Sequence, residues 1–426
     1  MGIGAGRAAG SEWVTMTAEP TTGCPIAADF DPLAPAFVAD PHPELSRLRE
    51  RSPVWYSPKL DRWVVTGYRE IEHILADPAT FSAVEAQRPL HPPCPEAAEI
   101  LAGLPLVPTM SNCDPPAHRR YRTAMTSAMS PRRVAGMRPV ITRRATELID
   151  RFAADGRADL VPALFFPLPA LTVFALIGLP LADADRIKAW CADKLEVNWG
   201  RPTRDKQIRS ALGMREFFDY VAAFVAGRRR EPGDDLVDQL IADERSLTDP
   251  EITSLVFALS FAGHETTTNL LGNLTLHLLR RPGLWLEITE DRSLIAGAVE
   301  EALRFESSVP MWRRVTTTET EVGGVRLAAG SRLVLAFAAA DREPGVFPEP
   351  DRFDIRRANA RRQLSFGRGI HLCLGAGLAR LECEIVVNLM ADRLPGLRLA
   401  PGASPRFTPN LSFRGPLELP ARWAGS

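Results

Sequence analysis

Chemistry in this chain concentrates in one ten-residue loop, Phe366-Gly367-Arg368-Gly369-Ile370-His371-Leu372-Cys373-Leu374-Gly375. Three glycines surround one cysteine, just ahead of a helix expected to start near Leu374. A cysteine so placed meets the positive end of a helix dipole and free backbone N–H groups. Those groups favour the thiolate and can hydrogen-bond a sulfur that holds a metal. The same residues also fit a buried structural cysteine beside a histidine. A zinc site would need further Cys or His nearby, and only His371 is there. A cysteine hydrolase would need a base that this loop does not identify.

A second group of residues is Phe261-Ala262-Gly263-His264-Glu265-Thr266-Thr267-Thr268-Asn269. Glycine, an acid and three threonines stand where helix propensity asks for Ala or Leu. Threonine hydroxyls bond back to carbonyls one turn earlier and weaken the helical ladder, which would leave a groove lined by a hydroxyl and a carboxylate. A packing glycine with solvated polar neighbours is the alternative. His264-Glu265 opens like a zinc-protease motif, but the fourth residue on is Thr268, so that reading fails. Glu301 and Arg304 place an acid and a guanidinium at i, i+3 on one helix face, which by itself is an exposed ion pair worth little.

The elements that position these residues are mostly helical. Thr248-Asp249-Pro250-Glu251 reads as a capping box, and the helix it opens can run to Arg280. About 32 residues at 1.5 Å each give roughly 48 Å, enough to cross a domain. Helices are expected at Pro41–Arg51, Tyr68–Ala76, through much of Pro115–Ala242, and at Leu374–Leu394. Short strands are expected near 54–56, 63–66, 325–327 and 332–335, and Ser82 to Ser111 reads as a long irregular loop. Leu160 to Ala182 carries no charge, but Pro162, Pro167, Pro169 and Pro180 interrupt it, so it suits a buried helix over Leu168 to Leu179 better than a membrane span. Of 426 residues, 45% are hydrophobic and 24% charged, which excludes wholesale disorder. Lys+Arg is 51 against Asp+Glu 52, so no global field selects nucleic acid or membrane. Six cysteines without a CxxC pair point to a reducing cytoplasm, and the N-terminus has no apolar h-region. The division expected is a disordered tail over 1–28 and a single domain over 29–426.

Taken together the motifs resemble the cytochrome P450 family, soluble bacterial type. The loop fits its haem-binding signature F-x-x-G-x-[HR]-x-C-x-G at Phe366, Gly369, His371, Cys373 and Gly375. Residues 262–267 match its oxygen-activating helix motif, and Glu301 with Arg304 its E-x-x-R. Asp114-Pro115-Pro116-Ala117-His118 with Arg122, then Arg314, resemble the segments that reach the haem propionates, and 344–353 looks like the meander. The resemblance runs from Phe30 to Trp423 in family order. Gln363, where many relatives have histidine, and Asp341-Arg342, for a common Asn-Arg, depart from it.

The resemblance implies a mainly α cytochrome P450 fold, a large helical haem-binding domain with a minor β-sheet region. Cys373 would be the axial thiolate of haem b, within a cofactor loop that includes Phe366, Gly367 and Gly375. His118, Arg122, Arg314 and His371 would hold the propionates. Thr266 and Glu265 would manage protons, Ala262 and Gly263 would leave room for O2, and Glu301 with Arg304 would be structural. Phe261, Met311, Trp312, Leu411 and Phe413, with Trp199, are the substrate-pocket candidates. The implied activity is hydroxylation or epoxidation of a small apolar organic substrate in secondary metabolism, by a cytoplasmic monomer. Electrons would come from NAD(P)H through a separate ferredoxin and ferredoxin reductase, because little chain follows the haem domain. Arg119, Arg120 and Arg368 would help to dock the ferredoxin. Desaturation, oxidative coupling or a silent partner role are the alternatives.

Overall fold

Helices form where apolar residues recur and stop where proline or glycine intervenes. The computed structural model describes residues 25–243 and 247–424. The helices that matter to the site are α1 (Ala117–Ala128), α2 (Pro167–Ile177), α3 (Ala184–Trp199), α4 (Arg204–Arg230), α5 (Asp249–Ala262), α6 (Glu265–Leu279), α7 (Ile295–Phe305) and α8 (Ala376–Arg393). The run expected to be one helix from Thr248 to Arg280 is therefore two, α5 and α6, with Gly263 and His264 between them. Side chains cause the break. Thr266 Oγ1 donates to the Ala262 carbonyl (3.1 Å), and His264 Nδ1 bonds the Ser260 carbonyl (2.8 Å). Carbonyls engaged by side chains bend the ladder.

α5 begins as its sequence indicates: the Glu251 carboxylate accepts the Thr248 N–H at 2.8 Å. Two apolar clusters flank the α5–α6 rod. One joins α1, α2, α3, α4 and α5 around Phe174, Phe217 and Phe257. The other joins α6, α7 and α8 around Leu271, Leu274 and Val386. The rod thus crosses the middle of the helical body, with the cysteine loop leading into α8.

Five short strands make the main sheet: β1 (Val54–Ser57), β2 (Arg62–Val65), β3 (Phe81–Ser82), β4 (Trp312–Thr316) and β5 (Arg332–Leu335), in the order β1-β2-β5-β4-β3. β2 and β5 run parallel, with Val64 opposite Val334, and the other pairs are antiparallel. Tyr68–Ala76 is a helix with the expected bounds. The expected loop 82–111 contains a helix, Pro95–Ala102. Residues 1–24 of the expected tail lie outside the described residues, while Pro25 and Ala27 exchange backbone hydrogen bonds with Tyr56. In the uncharged stretch, a π-helical turn (Val161–Phe165) leads into buried α2. No described helix is long and apolar enough to cross a membrane.

Candidate active site

The cysteine loop folds back on itself so that the sulfur faces inward. The Cys373 N–H donates to the Phe366 carbonyl (2.8 Å), and Gly367 and Gly369 take φ of 67° and 68°. Gly369 is doubly constrained: the left-handed backbone suits glycine, and a Cβ there would run into the Leu75 carbonyl. A Cβ on Gly375 would meet only the Cys373 sulfur, at 3.9 Å.

Cys373 is exposed, but to a cavity in the interior of the protein. Burial pushes its thiol up, against the pull of the Gly375 N–H, the Arg122 and Arg380 guanidiniums and the Ala376 N–H. The cavity, about 260 Å³, runs from Cys373, Phe366, Gly367 and Gly375 past Ala262, Gly263 and Thr266 to Phe261, Trp199, Trp312 and Phe413. A larger cleft of about 920 Å³, around His277 and Arg414, shares no lining residue with it, and its Arg414 is held by buried Glu306 (2.7 Å). The smaller cavity is the one with the chemistry.

Around the cysteine end stand two guanidiniums and two imidazoles, with His371 Nδ1 on the Met110 carbonyl (3.0 Å). Arg122, Arg314 and His371 line the cavity. The buried Nε2 atoms of His118 and His371 have no partner, and the two rings lie 4.4 Å apart. Arg314 donates to the Arg313 carbonyl (2.8 Å) and Arg122 to that of Leu372 (2.7 Å). Burial, reinforced by Arg314 and His118, takes His371 down to about 3. An iron porphyrin fits these residues: a soft sulfur ligand in an otherwise apolar space, and cationic or N–H donors at its rim for two carboxylates.

On the opposite wall, Ala262 and Thr266 face the cavity. Gly263 also lines it, yet a Cβ there would collide with Val173 of α2, so its smallness serves helix packing as well as the open space. Glu265 is not part of the lining. It lies behind the helix break, 4.0 Å from His264 Nε2, where burial pushes it up to about 7 against the field of Lys188.

The far end is an aromatic roof. Trp199 stacks on Phe261 (5.4 Å) and Trp312 (5.8 Å), and Phe413 meets Trp199 edge-on at 5.1 Å. Two expected pocket residues are not in it. Met311 and Leu411 pack into the core under the N-terminal segment with Phe30 and Trp55. Extended backbone sends alternate side chains to opposite sides, so Trp312 reaches the cavity while Met311 turns away; Leu411 and Phe413 part at a bend over 411–412, where no such alternation holds. The long loop after Ser82, expected from the sequence to meet the substrate, contributes Gln87 to the lining, whereas Leu255 and Leu259 were not named. Those two were legible as one face of α5, at i and i+4.

Glu301 and Arg304 are away from the cavity and fully buried. Arg304 clasps Glu301 through two bonds (2.8 and 2.7 Å) and donates to the carbonyls of Asp341, Pro350 and Arg352. Gln363 donates to Glu300 (3.4 Å) and accepts the Ser365 N–H, so it braces the same segment. Among the described residues no three His, Cys, Asp or Glu gather as a metal-ligand cluster.

Known proteins resemble this chain in sequence and fold. A family profile described as Cytochrome P450 matches residues 198–394. Cytochrome P450 107B1 of Saccharopolyspora erythraea is 36% identical over 398 residues, covering 91% of this chain and 96% of the relative. Cyclomarin C epoxidase CymV of Salinispora arenicola is 38% identical, covering 84% and 91%. Among solved structures, cytochrome P450 CREJ in complex with (4-ethylphenyl) dihydrogen phosphate superposes with a TM-score of 0.88 at 35% identity, covering 91% of this chain and 98% of the other.

Proposed function

The chain belongs to the cytochrome P450 family as a monooxygenase of bacterial type, and from that premise we propose that it transfers one oxygen atom of O2 to a C–H or C=C bond of a mainly apolar organic substrate in secondary metabolism. The observation that carries this reading is the single cavity that joins the Cys373 sulfur, the Thr266 hydroxyl and the aromatic roof.

Haem b, held by Cys373 with its propionates on His118, Arg122, Arg314 and His371, would supply reductive O2 chemistry. For hydroxylation the balance is RH + O2 + 2e⁻ + 2H⁺ giving ROH and water. The chain's own residues handle the rest. Phe261, Trp199, Trp312 and Phe413 exclude water and hold the substrate by apolar contact. Thr266 presents a hydroxyl to the cavity, and Glu265 holds a proton behind it for delivery.

The two electrons are assigned to NAD(P)H through a ferredoxin reductase and a ferredoxin that docks on the cysteine face. Of the arginines there, Arg120 is held by Glu251 and Arg368 by Glu72, whereas Arg119 is exposed. The test is the spectrum of dithionite-reduced protein with carbon monoxide. A strongly red-shifted Soret band is expected, lost in Cys373→Ser; haem binding without that band would overturn the thiolate assignment.

A further inference from the structure

Behind the roof of the cavity lies a charge that a purely apolar substrate leaves unexplained. Lys194, on α3 five residues before Trp199, is 5% exposed. Its ammonium has three N–H donors and accepts nothing. Among the described residues it makes one hydrogen bond, 3.0 Å to Gln87 Oε1. It otherwise faces rings, 4.9 Å from the centre of Phe257 and 5.1 Å from that of Phe261. The acids of its own helix are engaged elsewhere: Asp185 lies 3.8 Å from Lys188, Asp193 accepts from Ser210 (2.8 Å) and Lys206 (3.4 Å), and Glu196 lies 3.7 Å from Lys206.

A second cation flanks the same loop. Arg313, 2% exposed, sits on the face of β4 turned from the cavity and donates to the carbonyls of Ala86 (2.9 Å) and Asn198 (3.4 Å). Its Nε and Nη1 have no partner. Glu85, whose field reaches it, is bonded to Arg88 (3.1 Å) and paired with Arg332 (3.3 Å). Asn198 Nδ2 completes the corner with a bond to the Gln87 carbonyl (2.8 Å).

Burying a cation without a counter-ion is unfavourable, and two rings with one amide offset only part of that. The feature missing from this corner is an anion. Gln87 both lines the cavity and holds Lys194, so an anion can arrive from the cavity by displacing or sharing the Gln87 amide. One ammonium matches a singly charged group better than a phosphate, which calls for more donors.

We propose that the substrate carries a carboxylate at one end, received at the Gln87–Lys194 corner while its apolar body fills the space beneath the aromatic roof. The acid then acts as an anchor that leaves a carbon remote from it nearest Cys373, and the oxygen is delivered there. This inference rests on the haem–thiolate reading above and names the substrate class for that site.

The test uses the holoenzyme and matched probes: decanoate, dodecanoate and 4-phenylbutyrate, each against its methyl ester, followed by the substrate-induced Soret shift. Acids are expected to half-saturate the shift at concentrations at least tenfold below those of their esters. Lys194→Met should bring each pair within about twofold, and Lys194→Arg, which keeps the charge, should retain part of the preference. The reduced carbon monoxide band and far-UV circular dichroism establish that each variant is folded and haem-loaded. An intact band with no preference for acids in any pair, or a preference that Lys194→Met leaves in place, overturns the anchor and spares the monooxygenase reading. Absence of the band in the wild-type protein defeats that reading itself.

Discussion

Two regions of this molecule bury charge, and they do it in opposite ways. In the Glu301–Arg304 network every guanidinium nitrogen has an acceptor, and the carboxylate takes further bonds from the Asp354 N–H (2.9 Å) and Arg357 (3.2 Å). At the Gln87–Lys194 corner the ammonium has one amide oxygen and two ring faces. The first is a closed set that pins the segment before the cysteine loop to α7. The second is an open set beside a cavity. Saturated buried charge is architecture, whereas unsaturated buried charge next to a cavity points to a missing partner.

The largest expected effect comes from opening the closed set. Arg304→Met strands the Glu301 carboxylate with fewer donors, and removing one partner of a buried pair costs about 3–5 kcal/mol. Because Arg304 also holds the carbonyls of Asp341, Pro350 and Arg352, the loss should reach the cysteine loop. We expect a melting temperature several degrees lower and reduced haem content on purification. A variant that melts and takes up haem like the wild type would place the network outside the fold's support.

The open set should respond to pH in a way the closed set does not. Burial takes Lys194 down from its ordinary 10.5 to about 8, with Cys191 the titratable neighbour that pulls the other way. The unfolded chain therefore binds more protons than the folded one between about pH 8 and pH 10.5, and stability rises with pH across that window. Below pH 8 both states carry the proton and the desolvation penalty is present in full. The rise attributable to Lys194 is at most about 3 kcal/mol. Denaturant titrations of wild type and Lys194→Met across this range should differ by that rise, with the variant at least as stable at pH 7. Parallel curves would mean that Lys194 is already neutral or already paired.

How much of this was legible in the sequence depended on how far apart the partners lie. The cysteine loop and the i, i+3 spacing of Glu301 and Arg304 are local patterns, so their residues could be named without a fold. Of the main sheet, β1, β2 and β5 were readable from β-branched and aromatic runs, whereas β3 and β4 were not anticipated. The Gln87–Lys194 bond joins residues 107 apart, and no window on the chain contains both. The parity of Met311 against Trp312 failed because it depends on strand register, and a one-residue step reverses the face. The weakened ladder around Gly263 was legible in its Gly and Thr content, but not that it divides the helix, because residues 248–280 keep an apolar pattern through it and one of the bonds that bend it comes from His264. The packing of Gly263 has its own test. Gly263→Ala should cost about 1–3 kcal/mol by overpacking against Val173, and Val173→Ala in the same chain should restore much of it, read by thermal melts. Equal losses in the single and double variants would show that the glycine answers to something other than α2.

The smallest expected effect lies with charge that is not buried at all. Arg119 is exposed, whereas Arg120 bonds Glu251 (3.1 Å), an acid that burial would raise but that Arg120, Thr248 and Tyr121 hold at about 2. Exposed charges are worth up to about 1 kcal/mol and are screened within about 10 Å at 0.1 M salt. Arg119→Glu should therefore slow reduction by an acidic ferredoxin only several-fold at low ionic strength, with the difference closing as salt is added. Arg120→Glu should lower the melting temperature instead, because it places two acids together at the start of α5. If Arg119→Glu leaves the reduction rate and its salt dependence untouched, the partner docks elsewhere on the cysteine face.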